Sequence, residues 1–368
     1  MLDIYLLTLA LSIAIGAAAS VLLLALSRTG RFTGLFDIRG VAERPRWGGV
    51  VFLATFAITP FAASAISGHA SEFFSPKSSS FLGLLAAVSL VFLVGFVDDV
   101  RLTSPMIRSV VFVAGGAAAY AAGYRMDDIG LPWGQSIHLG WLGFFATVAW
   151  IYVITNAFNF IDGRDGVALG VAIFACVTMA QIGAHSSHPT VALLLVALAG
   201  AGLGLLPFNL PPASIYVGDS GAYVLGFVLG TLSIRASTGP TDQIFVAVPL
   251  FALGYPILDG GLAAVRRLLQ HKHPMIGDED HIHHRLESLG AGPRGLLVII
   301  YALAAVFSTG AIVVHYIDNT PLQGAVFVAT VAVVAATLMR LGYVVTLWNS
   351  HSIVWLRQHV FQPAHRDR

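Results

Sequence analysis

The chain has 368 residues, of which 57% are hydrophobic and 11% are charged. Soluble domains carry charge on about a quarter of their residues, so this composition excludes a soluble globular protein and indicates a polytopic membrane protein. The 20 basic and 19 acidic residues give a net charge of +1, which shows no bias toward nucleic acid, and the single cysteine excludes an internal disulfide.

Apolar runs of about 20 residues, long enough to cross a bilayer, recur along the chain. Eleven such runs predict an all-α fold with eleven transmembrane helices in one domain, residues 1–345, and a juxtamembrane tail at 346–368. The eighth run is short, and the ninth contains Pro249 and Pro256. The predicted spans are 4–26, 48–66, 81–97, 107–123, 140–158, 167–184, 190–207, 221–235, 244–263, 294–315 and 322–345.

Lys and Arg residues are distributed unequally between the two sets of loops. Seventeen of the 20 fall on one side of the predicted helices, and only Lys77, Arg125 and Arg235 fall on the other. Because cytoplasmic loops of membrane proteins are enriched in Lys and Arg, the richer side is predicted to be cytoplasmic. The N-terminus is then outside and the C-terminus inside, which requires an odd number of spans.

Polar motifs concentrate at the predicted cytoplasmic ends of the helices. The third span ends in Asp98 and Asp99, whose side chains point about 100° apart on a helix. Carboxylates at a helix C-terminus oppose the macrodipole, so we expect a nearby cation, such as a metal or Arg101, to compensate them. The pair could simply end the helix at the interface, but its unfavourable position favours a functional role.

Four polar residues recur every three positions at the end of the fifth span: Asn156, Asn159, Asp162 and Asp165. The first two share a helical face. Gly163 and Gly166 predict that the helix ends and the chain folds back, so that the last carboxylate returns to the same cleft. Asn and Asp also form caps and turns, but capping does not explain two amides at membrane depth, where unsatisfied polar groups are costly.

A further carboxylate, Asp219, lies between Gly218 and Ser220 just before the eighth span. It could be an ordinary N-cap, or a carboxylate beside a helix N-terminus, where a metal–phosphate pair can bind. Oxygen ligands from Asp and Asn favour Mg²⁺, or Mn²⁺, over zinc.

The loop after the ninth span contains a basic cluster, His281, His283, His284 and Arg285, with His271 and His273 upstream. No second Cys or His cluster at a zinc-site spacing accompanies it. Because Arg matches phosphate geometry, phosphate binding is favoured over zinc, and zinc over a solvated loop.

Oxygen ligands for a hard cation, basic groups for phosphate and an adjacent membrane together indicate phosphoryl transfer from a soluble donor to a lipid. The alternative from another class is an ion-coupled transporter or flippase, whose acidic residues should lie near the bilayer midplane. Here the acidic residues lie at one interface. A membrane scaffold would leave the polar motifs unexplained.

The motifs, in this order over roughly residues 37–289, resemble the polyprenyl-phosphate N-acetylhexosamine-1-phosphate transferases of bacterial inner membranes, which begin O-antigen and other cell-envelope glycans. The segments that carry the resemblance are 44–49, 98–105, 156–166, 208–221, 256–259 and 278–286. The resemblance implies eleven helices, a cytoplasmic active site, a UDP-N-acetylhexosamine donor, a polyprenyl phosphate acceptor and Mg²⁺. The His-x-His-His-Arg-Leu form is similar to the N-acetylglucosamine-1-phosphate branch, with a phospho-N-acetylmuramoyl-pentapeptide transferase-like enzyme as the alternative.

The resemblance also implies roles for individual residues. Asp219 and Asn159 match magnesium ligands. The uridine would be held by Asp165, Asn209 and Tyr216, the donor pyrophosphate by His281, His283, His284 and Arg285, and the lipid phosphate site would contain Asp98 and Asp99. We further expect Asp162 to be catalytic and Asn156 to bind substrate.

Two basic positions of the family are replaced here, within Gly40–Glu43 and at Ser214-Ile215, so Arg44, Arg46 and Arg108 are the candidates to hold the lipid phosphate. A phosphate monoester is mostly dianionic at neutral pH, so Asp98 is expected to act mainly by positioning. The Gly-rich and Ala-rich helices would allow a homodimer.

Overall fold

The computed structural model describes residues 2–28, 44–68, 79–131, 135–239, 244–269, 281–317 and 320–340. The predicted tail at 346–368 lies outside these residues, as do His271 and His273.

The described residues form thirteen helices, and every predicted span coincides with at least one of them. They are α1 (Leu2–Arg28), α2 (Gly48–Ile66), α3 (Ser79–Val100), α4 (Pro105–Ala121), α5 (Leu142–Ile161), α6 (Val167–His185), α7 (Pro189–Asn209), α8 (Gly218–Ala236), α9 (Ala247–Ala252), α10 (Gly254–Leu269), α11 (Ile282–Ser288), α12 (Pro293–Tyr316) and α13 (Thr320–Arg340). The ninth predicted span is divided between α9 and α10, next to Pro256.

Eight helices of the described chain are long and apolar enough to cross a membrane, and the protein is therefore a polytopic helical membrane protein. They are α1, α2, α3, α5, α6, α7, α12 and α13. Three predicted spans fall outside this set for separate reasons. Helix α4 has 17 residues, the ninth span is broken in two, and α8 contains polar residues such as Ser233 and Arg235.

Helix α8 lies at the centre of the bundle, packed against α2, α3, α5, α6 and α7, with nearly all its side chains buried. Glycines allow two neighbours to approach its first turn. A Cβ at Gly49 in α2 would lie 2.4 Å from Ser220 Oγ, and one at Gly95 in α3 would lie 2.5 Å from Ser220 Cα. This close packing brings the C-terminal end of α3 to the N-terminus of α8.

A small sheet lies among the loops that follow α4 and α8. Strand β1 (Asp128–Gly130) pairs antiparallel with β2 (Ser136–His138) and parallel with β3 (Ile244–Phe245). The all-α prediction did not include this sheet. It joins loops at the end of the bundle opposite to the C-terminal end of α3.

Candidate active site

A cavity of about 1110 Å³ lies where α5 and α7 end and α8 and α12 begin. Seven of the predicted site residues line it: Arg46, Asn159, Asp162, Asp165, Asn209, Tyr216 and Asp219. Arg164, Glu287 and Arg294 complete the charged part of the wall. Residues from distant parts of the chain therefore meet at one end of the bundle.

Asn159 and Asp219 are in direct contact on this wall. The Asn159 side chain donates a hydrogen bond to Asp219 Oδ1 at 3.0 Å, and Arg46 Nη1 lies 3.9 Å from Asp219 Oδ2. Asp162 adds a further carboxyl group nearby. Burial raises its pKa well above the ordinary value of 3.8, and the negative charges of Asp219 and Asp99 raise it further. When ionised, these three carboxylates repel one another, and a bound cation would relieve that repulsion.

This donor set fits a hard divalent cation better than zinc. No group of three or more His, Cys, Asp or Glu residues in the described part of the chain is arranged to hold a metal. Asp219 and Asn159 provide two oxygen-bearing side chains at one point. Mg²⁺ is commonly bound by one or two carboxylates, with substrate phosphates and water supplying the other ligands.

Asp99 does not line the cavity but caps α8. Its carboxylate accepts hydrogen bonds from the backbone N–H of Asp219 at 2.8 Å and of Ser220 at 3.0 Å, and from the Ser220 hydroxyl at 2.6 Å. Helix α8 has no side-chain cap of its own at Val217, and Asp219 lies in its first turn rather than at the N-cap position. A carboxylate is favourable at a helix N-terminus, which compensates Asp99 for its position at the end of α3.

Asp98 is held by a different set of groups. It accepts hydrogen bonds from Thr103 N at 2.8 Å, from the Tyr223 hydroxyl at 2.9 Å and from Arg108 Nη1 at 3.1 Å. The cation seen at this carboxylate is Arg108, which extends from α4, whereas Arg101, suggested together with a metal, is exposed at the end of α3. Both carboxylate oxygens of Asp98 therefore contact the protein.

A second, small cavity of about 30 Å³ adjoins Arg108 and Tyr223. Asn156 and Asn159 line it, as the shared helical face predicted. Asn156 donates its amide N–H to the Tyr152 carbonyl one turn earlier, at 2.8 Å. Asn159 is thus common to both cavities.

The turn after α5 is fixed by side-chain hydrogen bonds to the loop after α7. Helix α5 ends at Ile161, and Gly166 adopts a left-handed conformation with φ of +79°. Asn209 accepts from Gly166 N at 3.1 Å and donates to the Ile215 carbonyl at 2.9 Å. Asp165 accepts from Ala213 N at 2.9 Å. These bonds return Asp165 to the cavity wall, as the two glycines predicted.

Tyr216 reaches the cavity from a backbone pairing with the segment before α2. Its N–H donates to the Pro45 carbonyl at 2.9 Å, and its own carbonyl accepts from Gly48 N at 3.3 Å. The guanidinium of Arg44 lies 6.0 Å from the centre of the Tyr216 ring. The first basic motif thereby joins the site.

The histidine cluster is ordered by Asp259 of α10. Asp259 accepts from Ile282 N at 2.7 Å at the start of α11 and lies 2.8 Å from His281 Nδ1. Burial, with smaller contributions from His284, His281 and Arg164, lowers the pKa of His283 to about 4, despite the opposing charge of Asp259. His283 is therefore neutral at neutral pH.

The residues of this cluster are close to the cavity but do not form its wall. Within the described chain, the wall residues beside α11 are Glu287, Gly292 and Arg294 rather than His281, His283, His284 and Arg285. His281 and His283 are buried, and His284 and Arg285 are partly exposed.

Sequence reasoning missed several residues that hold the site together. Tyr223 lies in an apolar helix, where a buried hydroxyl is a signal that could have been followed. Asp259 lies in the segment 256–259, which carries part of the resemblance, but no role was predicted for it from the sequence. Arg164 and Glu287, 123 residues apart, have no local pattern that would pair them.

Comparison with known proteins gives a consistent result. The family described as "Glycosyl transferase family 4" matches residues 81–237. A Bacillus subtilis protein named "Probable undecaprenyl-phosphate N-acetylglucosaminyl 1-phosphate transferase" is 31% identical over 225 residues, covering 61% of this chain and 63% of the relative. The "Decaprenyl-phosphate N-acetylglucosaminephosphotransferase" of Mycolicibacterium smegmatis is 28% identical, covering 82% and 79%.

A third relative is the "Undecaprenyl-phosphate alpha-N-acetylglucosaminyl 1-phosphate transferase" of Escherichia coli K12, 26% identical over 68% of this chain and 69% of its own length. The fold and the site define a multi-pass membrane protein with a polar, carboxylate-rich cavity at one end of its helices. The resemblance of the motifs to the polyprenyl-phosphate N-acetylglucosamine-1-phosphate transferases is confirmed by the match over residues 81–237 and by the names of the three relatives.

Proposed function

We propose that this protein transfers N-acetylglucosamine-1-phosphate from UDP-N-acetylglucosamine to a polyprenyl phosphate, releasing UMP. The observation that carries this proposal is the contact of Asn159 with Asp219, at 3.0 Å, on a cavity wall built from segments distant in the sequence. The names of the three relatives describe N-acetylglucosamine-phosphate transfer involving undecaprenyl or decaprenyl phosphate, which supports the same donor sugar and acceptor class here.

The proposed topology has eleven spans, in which α4, α8 and the α9–α10 pair also cross the bilayer of a bacterial inner membrane. The location of 17 of the 20 basic residues on one side supports a cytoplasmic cavity. A charged nucleotide sugar does not cross a bilayer unaided, so the cavity has to open toward the compartment that contains it.

Asp219 and Asn159 are proposed to hold Mg²⁺, with Mn²⁺ as a substitute. When bound, the cation would neutralise the donor pyrophosphate and the charge that develops on UMP. The closeness of the Asp162 carboxyl group to the charges of Asp219 and Asp99 supports this assignment.

The remaining cavity residues are proposed to bind the donor. Tyr216 presents an aromatic ring for stacking on uracil, and Asp165 offers a carboxylate oxygen to the nucleoside. The residues of the histidine cluster are proposed to hold the pyrophosphate, supported by the position of α11 beside the cavity, where Glu287 reaches the wall.

An oxygen of the lipid phosphate would attack the β-phosphorus of the donor, and the bond from that phosphorus to the bridging oxygen would break as UMP leaves. A general base is little needed, because a phosphate monoester with a second pKa of about 6 is already mostly dianionic at neutral pH. Asp98 accepts hydrogen bonds through both of its oxygens, which supports a role in holding Arg108 and Tyr223. We therefore favour a single displacement over a covalent intermediate on Asp98.

The test is a UMP-release assay on the purified protein with undecaprenyl phosphate, Mg²⁺ and a panel of UDP-sugars. UMP released from UDP-N-acetylglucosamine in proportion to lipid-linked sugar phosphate is expected. Release only from UDP-N-acetylmuramoyl-pentapeptide would instead indicate the peptidoglycan branch. No release from any donor, with ion-coupled uptake into proteoliposomes, would indicate a transporter.

A further inference from the structure

The turn between α5 and α6 is joined to α11 by a two-pronged ion pair. Arg164 Nε and Nη2 donate to Glu287 Oε1 and Oε2 at 2.5 and 2.7 Å. The two residues are 123 positions apart, and both reach the cavity wall. Paired N–H groups of one guanidinium facing both oxygens of one carboxylate fix orientation as well as distance.

The guanidinium of Arg164 is directed toward the protein rather than toward a ligand. Besides its two bonds to Glu287, it donates to the Gly163 carbonyl at 2.9 Å and contacts His284 Nδ1 at 3.3 Å. Four of the five N–H groups of an arginine are thereby used within the protein. An arginine that binds a phosphate would instead keep its paired N–H donors facing the cavity.

The contact with His284 also specifies a tautomer. Arginine can only donate hydrogen bonds, so His284 Nδ1 must accept, and the ring proton must be on Nε2. Glu287 Oε2 is 3.7 Å from the same Nδ1 and could bond to it only if that nitrogen carried a proton. Arg164 thus selects one of two competing arrangements of His284.

A second contact places α11 against the same turn. A Cβ on Gly163 would lie 2.9 Å from His283 Nε2, so the backbone of the turn and the ring are in close approach. Asp259 anchors the first residue of α11 from the other side. The ion pair is formed near the C-terminal end of this short helix, so α11 is held at both ends and cannot rotate about the anchor at Ile282.

We propose that Arg164 is a positioning residue which, through Glu287 and His284, holds α11 in register with the turn that carries Asp162 and Asp165. The proposal rests on the proposed function, in that α11 bears the residues assigned to the donor pyrophosphate. Loss of Arg164 would change the binding of the nucleotide sugar and leave the rest of the bundle intact.

The exposure of the pair separates this role from a purely structural one. The side chains of Arg164 and Glu287 are 40% and 36% exposed. Ion pairs at such sites contribute little to stability, so the variants should fold and melt like the wild type. Their effect should appear in the kinetics of the donor.

The experiment compares Arg164→Leu, Arg164→Lys and Glu287→Gln with the control Ser288→Ala, which changes an exposed side chain of α11. We expect Arg164→Leu and Glu287→Gln to raise the KM for UDP-N-acetylglucosamine about tenfold with a smaller change in kcat, the pattern of lost ground-state binding. Arg164→Lys should recover only part of the effect, because an ammonium cannot make the paired contact.

Two readouts do not depend on turnover. Hydrogen–deuterium exchange of residues 282–288 should be faster in Arg164→Leu than in the wild type and unchanged in Ser288→Ala. In ¹⁵N-histidine spectra, the signals of His284 are assigned as those that disappear in His284→Gln. In the wild type these signals should show the ring proton on Nε2. An unchanged KM and unchanged exchange in Arg164→Leu would overturn the inference, as would a proton on Nδ1.

The inference and the proposed function fail in different ways. A wild type that releases no UMP contradicts the proposed function, while exchange and spectra still test the position of α11. An active wild type whose Arg164 variants are indistinguishable from it contradicts this inference alone.

Discussion

The carboxylate of Asp99 accepts the backbone N–H of Asp219 at 2.8 Å, so the end of α3 closes the first turn of α8. Asp219 is on the cavity wall and Asp99 lies behind it, with its side chain buried. The position of the proposed metal ligand therefore depends on a carboxylate 120 residues earlier in the chain. This arrangement gives Asp99 a structural task that its sequence neighbour Asp98 does not share.

Asp99→Asn should destabilise the protein and lower turnover together. An amide offers one acceptor oxygen in place of two, so at least one buried donor at Asp219 or Ser220 loses its partner, at a cost of about 1–3 kcal/mol. We expect a lower melting temperature in detergent and faster hydrogen exchange at residues 218–221.

The matched control is Asp128→Asn, which removes a carboxylate from the small sheet at the other end of the bundle. If Asp99 instead acted directly on the lipid phosphate, Asp99→Asn would lose turnover with the melting temperature and exchange of the wild type. That result would contradict the capping role.

Tyr223→Phe should weaken use of the lipid substrate more than it weakens the fold. The hydroxyl donates to Asp98 at 2.9 Å and accepts from Arg108 at 3.1 Å, so its removal loosens Arg108 while the ring stays packed on Phe112. One such hydrogen bond contributes about 1 kcal/mol, so the KM for undecaprenyl phosphate should rise several-fold. Steady-state kinetics with varied lipid measure this, and Tyr120→Phe is the control. An unchanged KM for undecaprenyl phosphate in Tyr223→Phe would show that Asp98, Arg108 and Tyr223 do not form the acceptor site.

Local patterns predicted the helices and several of the wall residues. The apolar runs predicted a helix at each expected span, because a helix buried in lipid or in a bundle needs apolar side chains along its whole length. The three-residue spacing after Asn156, with two glycines, predicted both the shared face and the returning turn, since both depend only on neighbouring residues.

Contacts between distant segments could not be predicted in this way. The choice of Arg108 over Arg101 for Asp98 depends on how α4 packs on α3, and the cap of α8 by Asp99 depends on the glycines that let these helices meet. The division of the ninth span was signalled by Pro256, but the role of Asp259 required the position of α11. The sheet strands are two or three residues long, too short for a periodic signal.

Asp219→Asn should raise the Mg²⁺ requirement without unfolding the protein. The cap from Asp99 uses the backbone N–H of Asp219, which the substitution retains, so the melting temperature should stay close to that of the wild type. Loss of one anionic ligand should raise the Mg²⁺ concentration for half-maximal UMP release by about 10-fold or more. Direct Mn²⁺ binding by electron paramagnetic resonance gives a readout independent of turnover. Asp127→Asn is the control, and an unchanged Mn²⁺ affinity in Asp219→Asn would exclude Asp219 from a metal site.

His283 should make the wild type less stable in mild acid. Its pKa is lowered to about 4 in the folded protein, from an ordinary value of 6.5, chiefly by burial. Between these pH values the unfolded chain binds more protons at this position than the folded chain, so the free energy of unfolding falls as the pH drops from 6.5 to 4. A shift of this size corresponds to about 3 kcal/mol once both states are protonated, and nothing further is lost below pH 4.

The neutral variant His283→Gln tests this directly, because glutamine does not titrate in the window. Melting temperatures measured at pH 7.5 and pH 4.5 should differ less for His283→Gln than for the wild type, and His138→Gln, on β2, controls for the loss of a histidine elsewhere in the chain. Because His283→Gln and the wild type differ only at this position, the difference between their changes in melting temperature isolates His283. Equal changes for His283→Gln and the wild type would mean that the ring is protonated as readily in the folded protein as in the unfolded chain, and the burial of this side chain beside Gly163 would then be wrong.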